Sequence, residues 1–144
     1  MKKTVITLLA IALFITAAVR AAASDARMTE PEITPGMQEL LAAYIGGCEG
    51  ARDIASMTAV GAVLLNRCNA AGFPDTVTAN GASLGIFPTP APPPIAEYAA
   101  RLALSGLDPT SGALSFYNRS DADSHKGEYV TFASSDLCFV KSSE

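Results

Sequence analysis

Glu49 is the side chain in this sequence best placed for acid chemistry. It follows Leu41 and Ile45 at intervals of four residues, which would place all three side chains in one row along a helix. The first two are apolar and are expected to face the core, so the carboxyl group would lie at the edge of a hydrophobic stripe. Partial removal from water raises the pKa of a carboxyl group and suits it to act as a general acid. The alternative is an ordinary surface glutamate at a helix end.

Two helices are predicted on either side of Glu49. Apolar residues recur with helical spacing before it, and the first helix is predicted to run from Pro35, with Thr34 as its cap, to Glu49 itself. Asp53 is predicted to cap the second helix. Residues 59–65 are apolar on almost every face, so the second helix is expected to be central and buried.

The rest of the chain predicts a long loop, a third helix and a small sheet. Five of the nine prolines lie in 88–94, so residues 73–94 are interpreted as a loop, either a functional one or a polyproline strap on the surface. The third helix is predicted over 95–105. Its inward residues are expected to be Ile95, Ala99 and Leu102. Three short strands are predicted over 113–117, 129–132 and 137–140. The predicted fold class is therefore α+β.

The first 23 residues have the pattern of a secretory signal peptide. Lys2 and Lys3 precede a mostly apolar run over 5–19, and the three alanines at 21–23 offer a cleavage site. The alternative is an uncleaved membrane anchor, but an apolar run of 15 residues is short for a membrane span. We therefore expect an exported protein, located in the periplasm, the cell wall or outside the cell.

The mature chain is predicted to be acidic and to contain one domain. Residues 24–36 predict a linker, and residues 37–141 predict a single globular domain. Cleavage of the signal removes three of the ten basic residues and none of the fourteen acidic ones, so the formal net charge changes from −4 to about −7. No basic surface is then expected for nucleic acid, and an anionic membrane would repel the chain. No membrane-spanning segment is expected after signal cleavage.

The three cysteines and the single histidine bear on disulfides and metals. Export would expose Cys48, Cys68 and Cys138 to an oxidising compartment, where one intramolecular bridge can form. The predicted bridge joins Cys138 to Cys68, with Cys48 as the alternative partner. No metal site and no other cofactor is expected, because His125 and three well-separated cysteines do not form a close set of ligands.

Three stretches of the sequence together form a family pattern. The first comprises Glu49-Gly50-Ala51-Arg52 and the apolar segment 59–67, the second is 73–77, and the third is 107–118. In order and spacing they resemble the SleB/CwlJ-type cell-wall hydrolases, which carry Glu-Ala-Arg-Gly-Glu at the first stretch and Asp-Pro-Thr-Gly-Gly-Ala-Leu-Tyr-Tyr-Phe-Asn at the third. The resemblance covers about residues 38–141. It implies a lysozyme-like helical core with a small antiparallel β-hairpin lobe, peptidoglycan glycan strands as the substrate, and Glu49 as the catalytic acid.

Two features of that family are replaced in this sequence. Its Gln-Phe-Ser stretch in the middle loop becomes Ala-Ser-Leu-Gly-Ile-Phe-Pro over 82–88, and Leu137 stands where the family has a histidine. A second interpretation therefore stays open, in which the chain is a catalytically degenerate module that binds peptidoglycan without cutting it. A third, a small disulfide scaffold with an interaction role, has less support because three cysteines are few.

The number of available carboxylates bears on the reaction that the resemblance implies. Glycan hydrolysis usually requires two carboxylates, and Asp53, the nearest second acid in sequence, is explained as a helix cap. A lytic transglycosylase needs only one, because the substrate's own C6 hydroxyl attacks and a single glutamate serves as acid and then as base. Lytic transglycosylase chemistry is therefore favoured over simple muramidase chemistry. Three residues are candidates for substrate contacts, each with a structural role as the alternative: Asn66, Tyr117 and Asn118.

Overall fold

The computed structural model describes residues 36–141. Within them, four α-helices precede a small sheet: α1 (Met37–Gly47), α2 (Ile54–Asn69), α3 (Val77–Ser83), α4 (Pro94–Leu104), β1 (Ser115–Asn118), a 3-10 helix (Arg119–His125), β2 (Tyr129–Ser134) and β3 (Leu137–Lys141). The α+β class predicted from the sequence is confirmed. The predicted signal peptide and nearly all of the predicted linker lie outside the described residues.

Helix α2 is the centre of the helical layer, as its apolar sequence predicts. Val60, Val63 and Leu64 have no exposed surface, and the helix packs against α1, α3 and α4. Asp53 caps it: the carboxylate accepts a hydrogen bond of 2.7 Å from the backbone N–H of Ser56, and the Ser56 hydroxyl accepts one of 3.3 Å from the N–H of Asp53. The predicted cap is confirmed, and it has the reciprocal geometry of a capping box.

Helix α1 is shorter than the sequence predicts, and this changes the position of Glu49. Leu41 and Ile45 are fully buried as expected, but the helix ends at Gly47. Two consecutive glycines disfavour continuation of a helix, and Cys48 has extended backbone angles of φ −78° and ψ 111°. The predicted helical row through Leu41, Ile45 and Glu49 is therefore wrong at its last member, which lies two residues beyond the helix.

Helix α4 buries only part of the predicted face: Ala99 is buried as predicted, whereas Ile95 and Leu102 are not. Ile95 is 39% exposed and Leu102 is half-buried. The buried residues are four alanines: Ala96, Ala99, Ala100 and Ala103. These small side chains let α4 approach α2 so closely that a Cβ atom added to Gly61 would lie 2.9 Å from the Cβ of Ala103. Close packing of two backbones outweighed the larger apolar side chains that periodicity alone would turn inward.

The region 73–94 contains a helix that the sequence analysis missed. The side chain of Thr76 accepts a 3.3 Å hydrogen bond from the backbone N–H of Ala79 and caps the start of α3. The prediction that 73–94 is mostly loop is therefore wrong over residues 77–83. The remainder is a strap that lies along α1. Its Thr89 N–H donates a 3.0 Å hydrogen bond to the carbonyl of Ala43.

The three strands form an antiparallel sheet in the order β1-β3-β2. The central strand β3 places Phe139, which is fully buried, between Phe116 of β1 and Phe132 of β2, with ring centroids 5.5 and 5.7 Å apart. A two-residue turn at Ser135 and Asp136 joins β2 to β3, which confirms the predicted hairpin. Strand β1 begins at Ser115, two residues later than predicted.

All three cysteines are free thiols, so the predicted disulfide is not formed. Cys68 lies near the end of α2, where the Asn80 side chain of α3 is 3.5 Å from its sulfur. Cys138 lies in the middle strand of the sheet, opposite Tyr117. The two sulfurs therefore belong to different layers of the molecule. None of the helices between residues 36 and 141 combines the length and the hydrophobicity that a membrane span requires.

Candidate active site

Glu49 lines a cleft between the end of α1, the loop after α3 and the first strand of the sheet. The cleft has a volume of about 340 Å³. Its lining residues are Gly47, Cys48, Glu49, Leu84, Gly85, Ile86, Phe87, Phe116 and Asn118. Among these described residues Glu49 is the only carboxylate. The site therefore offers one acidic group among apolar side chains and polar backbone groups.

The Glu49 side chain is exposed, so the partial burial predicted from the sequence is wrong. The reason is the early end of α1, which releases the residue from the buried face of the helix. Glu49 lies instead on a corner formed by residues 48–53, where the carboxyl group is open to a ligand in the cleft.

Gly50 allows this corner to pack tightly against the sheet. Its φ of +89° lies in the left-handed region that favours glycine. A Cβ atom at this position would be 3.0 Å from the side-chain oxygen of Asn118 and 3.0 Å from a methyl carbon of Leu137. The close approach brings Glu49 and Asn118 into the same cleft, as the sequence analysis expected of two site residues.

Phe87 at the cleft is a candidate binding residue that the sequence analysis missed. Its side chain is 82% exposed, whereas the preceding Ile86 is buried. An exposed aromatic ring at a cleft can pack against the apolar C–H face of a sugar ring. The signal was present in the sequence, because Phe87 lies in the loop that replaces the family's Gln-Phe-Ser stretch.

Asn66 lies outside the cleft and connects α2 to the turn before β1. Its side-chain amide donates hydrogen bonds to the Asp108 carboxylate at 3.0 Å and to the Ala113 carbonyl at 3.1 Å. Asp108 also accepts hydrogen bonds from Thr110 and Gly112. Burial would raise the pKa of Asp108, but hydrogen bonds from Thr110, Asn66 and Gly112 outweigh it and hold that pKa below its ordinary value. This arrangement favours the structural interpretation of Asn66.

Tyr117 lies on the opposite face of β1 from the cleft. Side chains alternate along a strand, so Phe116 and Asn118 share the cleft face while Tyr117 points away from it. The Tyr117 ring stacks on His125 of the 3-10 helix at a centroid distance of 4.1 Å and an interplanar angle of 3°. Of the three predicted binding residues, the structure therefore brings only Asn118 together with Glu49.

Cys48, beside Glu49, does not offer a second reactive group. Burial, reinforced by the negative charge of Glu49, raises the pKa of its thiol to about 12. The thiol therefore stays protonated and is a poor nucleophile near neutral pH. Within residues 36–141, no three His, Cys, Asp or Glu side chains converge as ligands for a metal ion. The cleft offers one carboxyl group that can transfer a proton.

The helical layer, the small sheet and the cleft between them together define a lysozyme-like α+β protein. Two solved structures are similar to it. The catalytic domain of the Bacillus cereus SleB protein is 26% identical with a TM-score of 0.63, over 81% of this chain and 99% of that one. The catalytic domain of the germination-specific lytic transglycosylase SleB from Bacillus anthracis is 27% identical with a TM-score of 0.57, over 75% and 95%. The chain has a SleB-type fold.

The likeness is visible in structure and not in broader sequence comparison. No protein-family model matches the sequence. No curated protein is significantly similar to it.

Proposed function

We propose that this protein cleaves the glycan strands of peptidoglycan as a lytic transglycosylase, with Glu49 as the acid and then the base. The observation that carries the proposal is that Glu49 is the only carboxylate among the described residues of the cleft. The likeness to two SleB catalytic domains, one of them named as a lytic transglycosylase, supports the same reaction and substrate class.

The reaction needs only the groups that the cleft and the substrate supply. Glu49 donates its proton to the glycosidic oxygen as the bond to the muramoyl C1 breaks. The C6 hydroxyl of the same muramoyl residue then attacks C1, and the Glu49 carboxylate accepts the proton of that hydroxyl. The products are a shortened glycan and a 1,6-anhydromuramoyl end, and the glutamic acid is restored. A bound strand would cover the exposed Glu49 and exclude competing water.

Substrate binding is assigned to Phe87, Phe116 and Asn118. The two aromatic rings provide apolar surfaces for sugar rings, and the Asn118 amide can donate to or accept from a hydroxyl or acetamido group. Asn66 contributes indirectly, because it holds the segment that leads into β1. A substrate contact by Tyr117 would require a strand that also reaches the outer face of the sheet. Export by the predicted signal peptide would give the protein access to peptidoglycan.

The alternative function is binding of peptidoglycan without cleavage. It is favoured by Leu137, which stands where the SleB/CwlJ-type family has a histidine. This side chain is 1% exposed and packs against Gly50, so it does not offer a polar group to the substrate.

Digestion of purified peptidoglycan, with mass spectrometry of the products, tests the proposal. We expect 1,6-anhydromuramoyl ends from the native mature chain. Glu49→Gln keeps the shape of the side chain and removes its proton, so the rate should fall by about 10²- to 10⁴-fold. Glu97→Gln is the matched control, because this exposed glutamate lies on α4 and outside the cleft, and it should cut like the native chain.

Other outcomes of the same digestion would contradict the proposal. Reducing muramic ends would show that water is the nucleophile and that a second carboxylate takes part. The protein is a binding module if the native chain binds peptidoglycan but releases no products, and if the Glu49→Gln variant binds peptidoglycan equally well.

A further inference from the structure

Asp53 makes more hydrogen bonds than a helix cap requires. Its bond from the Ser56 N–H completes the cap of α2. The same carboxylate also accepts from the Ser134 hydroxyl, at 3.1 Å from each oxygen, and from the Ser135 hydroxyl. Both serines belong to the end of β2 and the turn that follows it. The carboxylate therefore connects the corner 48–53, which carries Glu49, to the turn 134–137.

Ser135, which makes this contact, has an unfavourable backbone conformation. Its φ of +52° lies in the left-handed region, where glycine is the usual residue at the first position of such a hairpin turn. A glycine would adopt this conformation without strain but has no hydroxyl to donate to Asp53. Local strain of this kind is typical of functional sites.

Further contacts align the corner and the turn along their length. Arg52 and Asp136 form an ion pair of 3.1 Å, which is weak because both side chains are largely exposed. Leu137 packs against Gly50. By contrast, none of the described residues donates a hydrogen bond or forms an ion pair with the Glu49 carboxylate. The position of Glu49 thus depends on the backbone of the corner.

We infer that Asp53, clamped by Ser134 and Ser135, is a positioning residue for Glu49. The clamp holds the corner against the sheet and so sets the distance between the acid and the substrate-binding side chains of β1. Its consequence for catalysis rests on the proposed function, whereas the clamp itself does not.

A double variant, Ser134→Ala with Ser135→Gly, removes both hydroxyl donors, leaves the Asp53 cap intact and relieves the strain at residue 135. We expect its melting temperature to stay close to that of the native chain. The buried thiol of Cys48 should nevertheless react with a thiol reagent about tenfold faster relative to Cys68, because the hydrogen bonds that hold the corner 48–53 against the sheet have been lost. Rates are measured for each cysteine by mass spectrometry of labelled peptides.

Two control variants separate the clamp from general stability. Val63→Ala loosens the core ten residues along the chain from Asp53 and should leave the ratio of Cys48 to Cys68 labelling unchanged. Ser134→Thr keeps a hydroxyl and should also label like the native chain. An unchanged ratio in the double variant would refute the clamp, whether or not the protein is an enzyme.

Activity then tests the role of the clamp in catalysis. The double variant should lose about tenfold in kcat with little change in KM, and a smaller share of its products should carry anhydro ends, because a displaced Glu49 lets water compete. The fraction of products with anhydro ends does not depend on how much of the enzyme is folded, so a loss of stability alone would not change it. If labelling of Cys48 rises while kcat and product ratio stay native, Asp53 does not position Glu49. A native chain that cuts nothing would instead refute the proposed function, and the labelling ratio would still decide the clamp.

Discussion

A Cβ atom on Gly47 would lie 1.8 Å from the carbonyl oxygen of Phe87. The backbone at the end of α1 is thus in direct contact with the backbone of the loop that forms the opposite wall of the cleft. This contact sets the spacing between Glu49, two residues further on, and the exposed ring of Phe87. No side chain fits between the two walls at this point.

Gly47→Ala should therefore separate the walls of the cleft. We expect a loss of about 1–3 kcal/mol in the free energy of unfolding, as in other overpacked sites, together with loss of activity. Gly46→Ala is the graded control, because its Cβ would meet side-chain atoms of Thr89 and Pro93 at 3.0 and 3.1 Å, which can shift slightly. Thermal denaturation and peptidoglycan digestion measure both effects. Equal stability of the two variants would contradict the close backbone contact.

Phe87→Ala should weaken glycan binding without affecting the fold. The ring is almost fully exposed, so its removal costs little stability, whereas loss of aromatic packing against a sugar should raise Kd by about 2- to 10-fold. Binding to insoluble peptidoglycan is measured in the Glu49→Gln background to prevent cleavage. Tyr129→Ala is the control, because Tyr129 is 72% exposed but does not line the cleft. A similar loss in both variants would mean that binding is not centred on the cleft.

Asp108→Asn should lower stability at neutral pH and flatten its dependence on pH. The folded-state pKa of Asp108 lies below its ordinary value of 3.8, so its stabilising effect is present above that value and is lost as the pH falls through the lower folded-state pKa. The substitution should cost about 1–3 kcal/mol near pH 7, because Thr110 and Gly112 lose a charged acceptor. Unfolding in denaturant from pH 7 down to pH 3 measures the difference between the chains, which should shrink as the pH falls. A difference in unfolding free energy that stays constant with pH would contradict the lowered pKa of Asp108.

All three cysteines should react as free thiols, and a reducing agent should not change the stability of the protein. Because Cys48, Cys68 and Cys138 are free, the denatured protein should react with three equivalents of a thiol reagent, and a reducing agent should leave its melting temperature unchanged. One reactive thiol per chain would show that the exported protein forms the bridge predicted from the sequence.

The exported protein should begin at Ser24. The motivation is the order of Lys2, Lys3, the apolar run and the three alanines at 21–23. N-terminal sequencing of secreted material checks this, and a chain that still begins at Met1 would refute it.

Much of the fold could be predicted because its signals are local. The start of α2 is predicted from Asp53, whose carboxylate accepts a hydrogen bond from the backbone N–H three residues later. The apolar run that follows predicts a buried helix. The strands β2 and β3 are predicted from two short segments, 129–132 and 137–140, that are rich in aromatic and β-branched or other apolar residues. Thr76 is a capping residue of the same kind for α3, but the prolines at 88–94 favoured the interpretation of the whole region as loop.

The amino-acid sequence by itself identified Glu49 as the candidate acid and determined which segments form α2, β2 and β3, because capping and the pattern of apolar residues act over a few neighbouring residues. Only the tertiary structure decided that Glu49 lies beyond the end of α1 and that Asn118 and Phe87 line the same cleft as Glu49. It also placed Tyr117 and Asn66 outside that cleft. These outcomes depend on contacts between segments far apart in the chain, such as Gly50 against Leu137 and Gly47 against Phe87. Such contacts are set by how closely two backbones can approach, and no local pattern of residues reports that distance.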